Sequence, residues 1–398
     1  MNSDKIAKRV QIVVLNAFAN MSAPMVNMLC SLLVIRLISP ELWGAYTKIL
    51  LWFLLGLQLV GFGNKEFLLR EFSKRPTDII HLWANSLRWR ALLMFAGAIV
   101  VFFLPFDSSI RIILAAWFVV RFLYSSFDAL VLFQKKFLLT VMLELFGFIA
   151  FCILLYLRSD SSGLLWLLST FLTLDILKTL VLVSAFFTEL KGIKSSTHEF
   201  SFYEGAFPFF LLSISGMIGS RTDMYMVSVY LDKVQIAQYS VLLNFLIYLQ
   251  ALSNFIFQPF IKNIYRINIQ STRKLSRQLF GTGILVAGFG VPLVWWVCAY
   301  LFKIQFNLWM TLTGIFYVLP VFYYLPRIYF LYKTGKEQWV LYVNLGGIIL
   351  NFLLNLFWLP SFGISGALMA ATVVQLASLL MYSILEKKLL RDVAFEMS

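Results

Sequence analysis

The sequence predicts an all-α polytopic membrane protein with about twelve transmembrane helices in two pseudo-symmetric six-helix halves. Three observations carry that reading. Hydrophobic residues make up 61% of the 398 and charged residues only 13%, with a mean hydropathy of +0.84; no soluble domain of this length has such a balance. The apolar residues gather into twelve runs, each near the ~20 residues that cross a bilayer as a helix. The basic residues gather into alternate loops between those runs, the pattern that orients a membrane chain.

The runs are residues 11–35, 42–61, 83–104, 110–133, 137–157, 163–187, 202–231, 236–260, 279–302, 306–332, 339–359 and 364–385. The first follows a polar stretch and is too long for the apolar core of a cleaved signal, so it reads as a span. It carries Asn16, Asn20, Asn27 and Ser31 at spacings that share one helix face, and Pro24, which is expected to bend it. Such a polar stripe acts either as glue between helices or as the wall of a cavity. Ser39-Pro40-Glu41 opens the second run: Ser caps, Pro fits the first helical position, and Glu complements the positive helix end.

Charged residues inside the spans are the candidate functional residues, because a charge at bilayer depth costs roughly 2.5–3.5 kcal/mol on insertion scales. The seventh run, 202–231, holds Arg221 and Asp223 near its middle. They serve either a packing salt bridge or a polar site. Arg36 ends the first run and Lys48 lies about two turns into the second. Arg121 and Asp128 lie seven apart in the fourth run, on one face, and Arg121 is the deeper candidate for a cavity. Glu144 sits near the basic-loop end of the fifth. Asp175 and Lys178 are three apart in the sixth, a spacing that allows a pair within the helix. Arg327 follows Pro326 near the end of the tenth, where it either snorkels or faces a pocket. The eleventh repeats an asparagine stripe, with Asn344, Asn351 and Asn355. The cations Arg36, Lys48, Arg121, Lys178, Arg221 and Arg327 outnumber the acids Asp128, Glu144, Asp175 and Asp223. A cationic interior suits an anionic substrate, and arginine binds phosphate in a bidentate fork.

Loops on one side carry 21 basic residues, from Lys5, Lys8 and Arg9 to Lys387, Lys388 and Arg391; short loops on the other carry Arg111, Arg158, Lys233 and Lys303. Both termini are therefore expected in the cytoplasm. The net charge of +14 reflects that orientation and possible contact with anionic lipid rather than nucleic-acid binding. The halves look like copies. Tyr46 and Tyr239 match at an offset of 193, Gly147 and Gly346 at 199, and Ser162-Gly163 and Ser365-Gly366 at 203. An N-terminal bundle of 1–190, a linker of 191–201 and a C-terminal bundle of 202–398 follow, related by a pseudo-two-fold along the membrane normal.

Cys30, Cys152 and Cys298 lie inside apolar runs without disulfide or zinc spacing, and His81 and His198 lie in loops. Phosphate-binding glycine loops, nucleophile elbows and metal-ligand clusters do not occur. The sequence therefore predicts neither enzyme activity nor a cofactor or metal.

One stretch, Leu37-Ile38-Ser39-Pro40-Glu41-Leu42-Trp43-Gly44-Ala45-Tyr46, is followed by Gly61-Phe62-Gly63 and Leu68-Leu69-Arg70-Glu71. Together with Arg221-Thr222-Asp223, Tyr239-Ser240 and Gly363-Ile364-Ser365-Gly366-Ala367, it resembles the Wzx-type O-antigen and polysaccharide flippases of the multidrug/oligosaccharidyl-lipid/polysaccharide exporter superfamily. Ala237 departs from the pattern, where that family usually has glycine two residues before the tyrosine of the second half. The resemblance implies a V-shaped pair of six-helix bundles around a central cavity in the bacterial inner membrane. It implies transport of an undecaprenyl-diphosphate-linked oligosaccharide between leaflets by alternating access, with membrane lipid, a polysaccharide polymerase and a chain-length regulator as partners. In that frame Arg221 and Arg121, with Lys48, Arg36, Arg327, Asn20 and Asn27, are the expected substrate contacts. Asp223, Asp128, Asp175 and Lys178 are the expected charge-pair or coupling residues, with Asp223 orienting Arg221. A cation-coupled multidrug exporter of the same superfamily is the first alternative, although the first run has no acidic residue. A membrane-embedded polysaccharide polymerase is the second, although every loop on the outer side is short.

Overall fold

The computed structural model describes residues 3–158, 163–191, 202–257 and 269–396. Among these the regular structure is α-helical, with no strand. The helices are α1 (Ser3–Leu37), α2 (Pro40–Gly61), α3 (Asn64–Lys74), α4 (Ile79–Val101), α5 (Ser108–Ser126), α6 (Asp128–Phe133) and α7 (Phe137–Tyr156). They continue with α8 (Leu164–Ala185), α9 (Phe187–Leu190), α10 (Phe202–Tyr230), α11 (Lys233–Phe257), α12 (Ile269–Tyr300), α13 (Leu308–Lys333) and α14 (Glu337–Glu396). Ten helical stretches among the described residues are long and apolar enough to cross a membrane. One of them, Gln338–Lys388, contains the last two expected spans, and Met21–Leu37 is the apolar part of α1. The chain is an all-α, multi-pass membrane protein.

The sequence signals for helix starts act as expected. The Ser39 hydroxyl accepts the Leu42 N–H at 3.1 Å and opens α2. Its counterpart 193 residues later, Asp232, accepts the Gln235 N–H at 2.8 Å and opens α11. Three boundaries differ from expectation. The loop after α2 contains α3, an amphipathic helix that buries Phe67, Leu68 and Phe72 and leaves its charged side outward. The fourth run is broken at Phe127 into α5 and α6. The last two runs are two helices, as expected, but they meet within α14 at Gly363 with no longer loop between them; its φ 56 and ψ −135 are a conformation that glycine adopts without a Cβ penalty. Outside the spans, Lys136 caps the end of α8 through the Ala185 carbonyl at 3.2 Å and pairs with Glu189 at 3.4 Å. A hydrogen bond from the Thr188 hydroxyl, with help from Lys136, holds the Glu189 carboxyl below its ordinary range.

The chain forms two compact units. One comprises Met1–Leu33 and Ile49–Ile214, the other Val34–Lys48 and Ser215–Ser398. These units do not follow the expected halves residue for residue. The change of unit falls within α10, between Ile214 and Ser215, and the α1–α2 corner belongs with the second unit. Of the expected linker 191–201, residues 192–201 lie outside the described residues.

In the first unit an aromatic core holds the basic-loop end together. Phe67, Phe72, Tyr124, Phe127, Phe186 and Phe202 are buried in it. Gly63, at φ 65, makes the turn from α2 into α3, and a Cβ there would meet the backbone of Phe209 and Phe210. In the second unit α12, α13 and α14 pack in sequence, and α11 packs on α12 and α13. The α1–α2 corner is seated there on the start of α11. Trp43, Tyr46, Ile236, Ala237 and Tyr239 are all buried, and a Cβ on Gly44 would run into the Lys233 carbonyl oxygen. A backbone group cannot move aside cheaply. Gly44→Ala is therefore expected to cost about 1–3 kcal/mol and lower the melting midpoint in detergent. A midpoint equal to that of the parent would show that the corner is not clamped.

Candidate functional site: one half-open arginine among paired buried charges

The charged residues inside the spans do not behave alike, and their partners separate them. In the first unit two ion pairs are joined into a chain of contacts. Arg121 on α5 reaches Asp175 on α8, NH1 to Oδ1 3.0 Å, and the other carboxylate oxygen accepts Trp117 Nε1–H at 2.7 Å. Lys178, one turn further along α8, turns to α7 instead and meets Glu144, Nζ to Oε2 2.7 Å. Tyr124 bridges the two pairs: its hydroxyl donates to Glu144 Oε1 at 3.1 Å and its ring lies 4.9 Å from the Arg121 guanidinium. Gly147 makes room for this arrangement, because a Cβ at that position would collide with Lys178 Cε.

This corrects the expectation that Asp175 and Lys178 neutralise each other within α8. Both residues are buried, and each finds a partner on another helix, where the side chains meet end to end. It also removes Arg121 from the set of uncommitted cations. Asp128, expected to share a face with Arg121, is exposed at the start of α6. The cations Lys65, Arg121 and Arg90 act on it through space. Arg90 on α4 is a buried cation that the sequence reading passed over. It is 1% exposed, donates to the Ser86 carbonyl and the Ser126 hydroxyl, both at 3.3 Å, and lies 5.1 Å from the Phe122 ring. Its signal was present, an arginine within an apolar run, but Arg88 two residues before it and its place in the first third of that run disguised it as a flanking charge.

In the second unit Arg327 is committed as well. Its NH2 reaches Glu386 at 2.7 Å, its NH1 donates to Ser383 Oγ at 2.7 Å, and Tyr323 stacks 4.0 Å from the guanidinium. Arg273 shares the same carboxylate at 2.9 Å. Arg327 is thus a structural clamp between α13 and α14 rather than a free cation, and Glu386, one residue past the last apolar run, is its counter-charge.

Arg221 is different. It is half-buried on α10, and its NH1 donates to the neutral amide of Asn244 on α11 at 3.0 Å. Among the described residues no carboxylate lies within ion-pair distance of it. Asp223, expected to orient it, is engaged elsewhere: Oδ2 accepts the Tyr239 hydroxyl at 2.5 Å and Oδ1 accepts the Met224 N–H at 2.8 Å. The Asp223 charge still acts on Arg221 through space, and the hydroxyls of Tyr225, Tyr248 and Tyr317 lie within the electrostatic reach of the guanidinium. The result is a full positive charge, half-open, in a surround of amide and phenol groups. A guanidinium in such a setting keeps part of its planar fork of donors free of any ion pair among the described residues.

The remaining expected contacts are scattered. Arg36 and Lys48 are exposed on the α1–α2 corner. Asn27 is half-buried on α1, while the Asn16 and Asn20 side chains lie outside the described residues. In α14, Asn344 is exposed and Asn351 and Asn355 are buried. The Asn355 amide donates to the Asn351 carbonyl and side chain at 2.9 and 2.5 Å, so these two bond along their own helix, while Asn355 Oδ1 is buried without a partner among the described residues. Cys30, Cys152 and Cys298 are free thiols.

No protein-family profile matches the chain, and no curated protein matches it. Solved structures do. A lipid II flippase, MurJ, in an inward closed conformation aligns with a TM-score of 0.69 and 16% identity over 94% of this chain and 87% of its own. An inward-facing multidrug resistance MATE family transporter of the MOP superfamily aligns at 0.69 and 10% identity, over 97% of this chain and 99% of its own. A eukaryotic MATE transporter aligns at 0.54 and 14% identity, over 95% of each chain. Likeness at these identities is likeness of fold, and it extends over nearly the whole chain: the protein has the membrane-transporter fold seen in MurJ and in MATE transporters of the MOP superfamily.

Proposed function

We propose that this protein is a flippase for a polyprenyl-diphosphate-linked oligosaccharide, an O-antigen or related surface-polysaccharide repeat unit, in the bacterial inner membrane. Both termini lie in the cytoplasm in this reading, as the positive-inside pattern indicates. The observation that carries the proposal is Arg221. Arg121, Lys178 and Arg327 have carboxylate partners and Arg90 is sealed from solvent, whereas Arg221 keeps a half-open guanidinium on a neutral amide. A diphosphate supplies the missing negative charge and matches the planar fork. The fold shared with a lipid II flippase and the sequence motifs around Ser39, Arg221 and Gly363 support the same reading. Transport would proceed by alternating access, with the ion-paired Arg121–Asp175 and Lys178–Glu144 network acting as a rigid part of the first unit. Polymerase and chain-length regulator enter this reading only as the next steps of the same assembly line.

Deletion of the gene tests it, with lipid-linked intermediates sorted by leaflet. Loss of surface glycan with complete polyprenyl-linked units trapped on the cytoplasmic side is the expected outcome. Complete units outside but unpolymerised would transfer the assignment to a polymerase. Unchanged glycan with altered drug tolerance would favour the exporter reading, which the equally similar MATE fold keeps in view.

A further inference from the structure

In the first unit, α3 carries two outward cations on one buried carboxylate. The Glu71 side chain is 8% exposed, and its Oε1 accepts Arg70 Nε–H at 3.1 Å and Lys74 Nζ–H at 2.9 Å. The Arg70 and Lys74 side chains themselves are 45% and 57% exposed. Arg70 is also held by rings, its guanidinium lying 5.5 Å from the centre of Phe67 and 4.9 Å from that of Phe209. Among the described residues neither cation has a second carboxylate within ion-pair distance. Long cationic side chains lose rotamer freedom when they grip a ligand. Here the carboxylate and the rings have placed them beforehand.

The position of α3 selects the ligand. α2 has 22 residues, about 33 Å of helix, against about 30 Å of bilayer hydrocarbon. The turn at its end, Phe62–Gly63, therefore delivers α3 to the headgroup layer. Ring contacts mark the same level. Phe62 lies 5.2 Å from Tyr203, and the Tyr203 ring lies 5.9 Å from Trp89 on α4, centre to centre. The Tyr203 hydroxyl donates to the Trp89 carbonyl at 2.7 Å. Tryptophan and tyrosine gather where a bilayer meets water. Arg88, beside Trp89, is exposed, and further along α4 the exposed residues are Leu92, Phe95 and Ile99. Polar surface thus gives way to apolar surface one turn past this level.

Charge narrows the ligand further. Arg70 and Lys74 against Glu71 leave +1, while on the rest of the segment Lys65 and Arg75 offset Glu66 and Asp78. A phosphodiester carries one negative charge and oxygen acceptors that suit a guanidinium edge; a diphosphate carries at least two charges. We infer that Arg70 and Lys74, yoked by Glu71, seat the phosphodiester headgroup of an anionic glycerophospholipid in the leaflet that α3 faces. The seat is independent of what the chain transports.

The test uses the full chain in phosphatidylcholine nanodiscs with a trace of photoreactive phosphatidylglycerol, and maps the crosslinks by mass spectrometry. Label is expected on the segment 65–75. Unlabelled phosphatidylglycerol should suppress it several-fold, and added phosphatidylcholine should not. Lys74→Gln should weaken labelling several-fold. Lys135→Gln, which removes the same charge from another exposed position, should leave it unchanged. Glu71→Gln raises the charge of the trio from +1 to +2 but releases both cations from their anchor. A seat gives several-fold less labelling in that variant, whereas a basic surface without a seat gives more. Melting midpoints show whether each variant keeps its fold; if Glu71→Gln does not, the contrast between Lys74→Gln and Lys135→Gln decides. More labelling in folded Glu71→Gln, equal loss in the two lysine variants, or even labelling of all basic loops overturns the seat. Suppression by inorganic phosphate would assign it to a soluble anion, and stronger suppression by a polyprenyl diphosphate than by phosphatidylglycerol would assign it to a lipid-linked substrate; each also overturns it. Unchanged glycan after gene deletion would sink the flippase reading and leave this seat standing.

Discussion

Replacing Arg221 with alanine is expected to abolish export of the lipid-linked glycan while leaving the protein at its normal level in the membrane. The half-buried guanidinium bonds only a neutral amide among the described polar partners, and the buried Asp223 carboxylate that it faces through space keeps its hydrogen bonds from the Tyr239 hydroxyl and the Met224 N–H, so the fold survives its removal. Charge-assisted hydrogen bonds contribute about 1.5–3 kcal/mol each, so losing one or two of them weakens anion binding roughly ten- to a hundredfold or more. Two further variants separate charge from shape. Arg221→Lys keeps the charge but loses the planar fork and should restore export in part. Asn244→Asp sets a carboxylate against the guanidinium in place of the amide, neutralises it from within, and should abolish export without touching the arginine. The readout is surface glycan in a complemented deletion strain, with immunoblots for protein level. Wild-type glycan in the Arg221→Ala strain would remove Arg221 from the site.

A second large effect is expected in stability rather than transport. Lys178→Met leaves Glu144 buried without its ion-pair partner, since among the described residues that carboxylate is otherwise hydrogen-bonded only by the Tyr124 hydroxyl. Removing one partner of a buried ion pair costs about 3–5 kcal/mol. The double variant Glu144→Gln with Lys178→Met removes both charges, keeps an acceptor for Tyr124, and should recover most of the loss. Melting midpoints in detergent measure both. A Lys178→Met protein that melts with the parent would mean that the pair is not buried as described.

The parts of this molecule that follow from local chemistry were legible in its sequence. Apolar runs of bilayer length gave the spans, and Ser39-Pro40-Glu41 gave a helix start that the Ser39–Leu42 hydrogen bond bears out. Spacing along one helix did less well. Asp175 and Lys178 are three residues apart and were expected to pair, yet each is bound across helices. Asp223 lies two residues from Arg221 and was expected to serve it, yet it bonds Tyr239, sixteen residues away on the next helix. In a bundle without water the helix–helix partner outcompetes the intrahelical one, because it satisfies two buried groups with straight geometry. Nothing in a single sequence encodes which helix faces which, so the partners Tyr124, Tyr239, Asn244 and Glu386 stayed invisible. What could be read was that charges were present; which of them would remain uncommitted could not.

The α1–α2 corner has a consequence for how the chain is made. Its residues, Val34–Lys48, belong to the second compact unit, and Gly44 rests on the Lys233 carbonyl. Ribosomes add about 5–20 residues per second, so the corner leaves the ribosome about ten to forty seconds before the helix it docks on exists. During that wait Trp43 and Tyr46, buried in the finished protein, have only lipid or the insertion machinery for cover. The first two helices therefore cannot mature as an independent hairpin. Assembly of the molecule is retroactive at this point: the corner waits for a helix made almost two hundred residues after it, and a product that stops before α11 would leave Trp43 and Tyr46 uncovered.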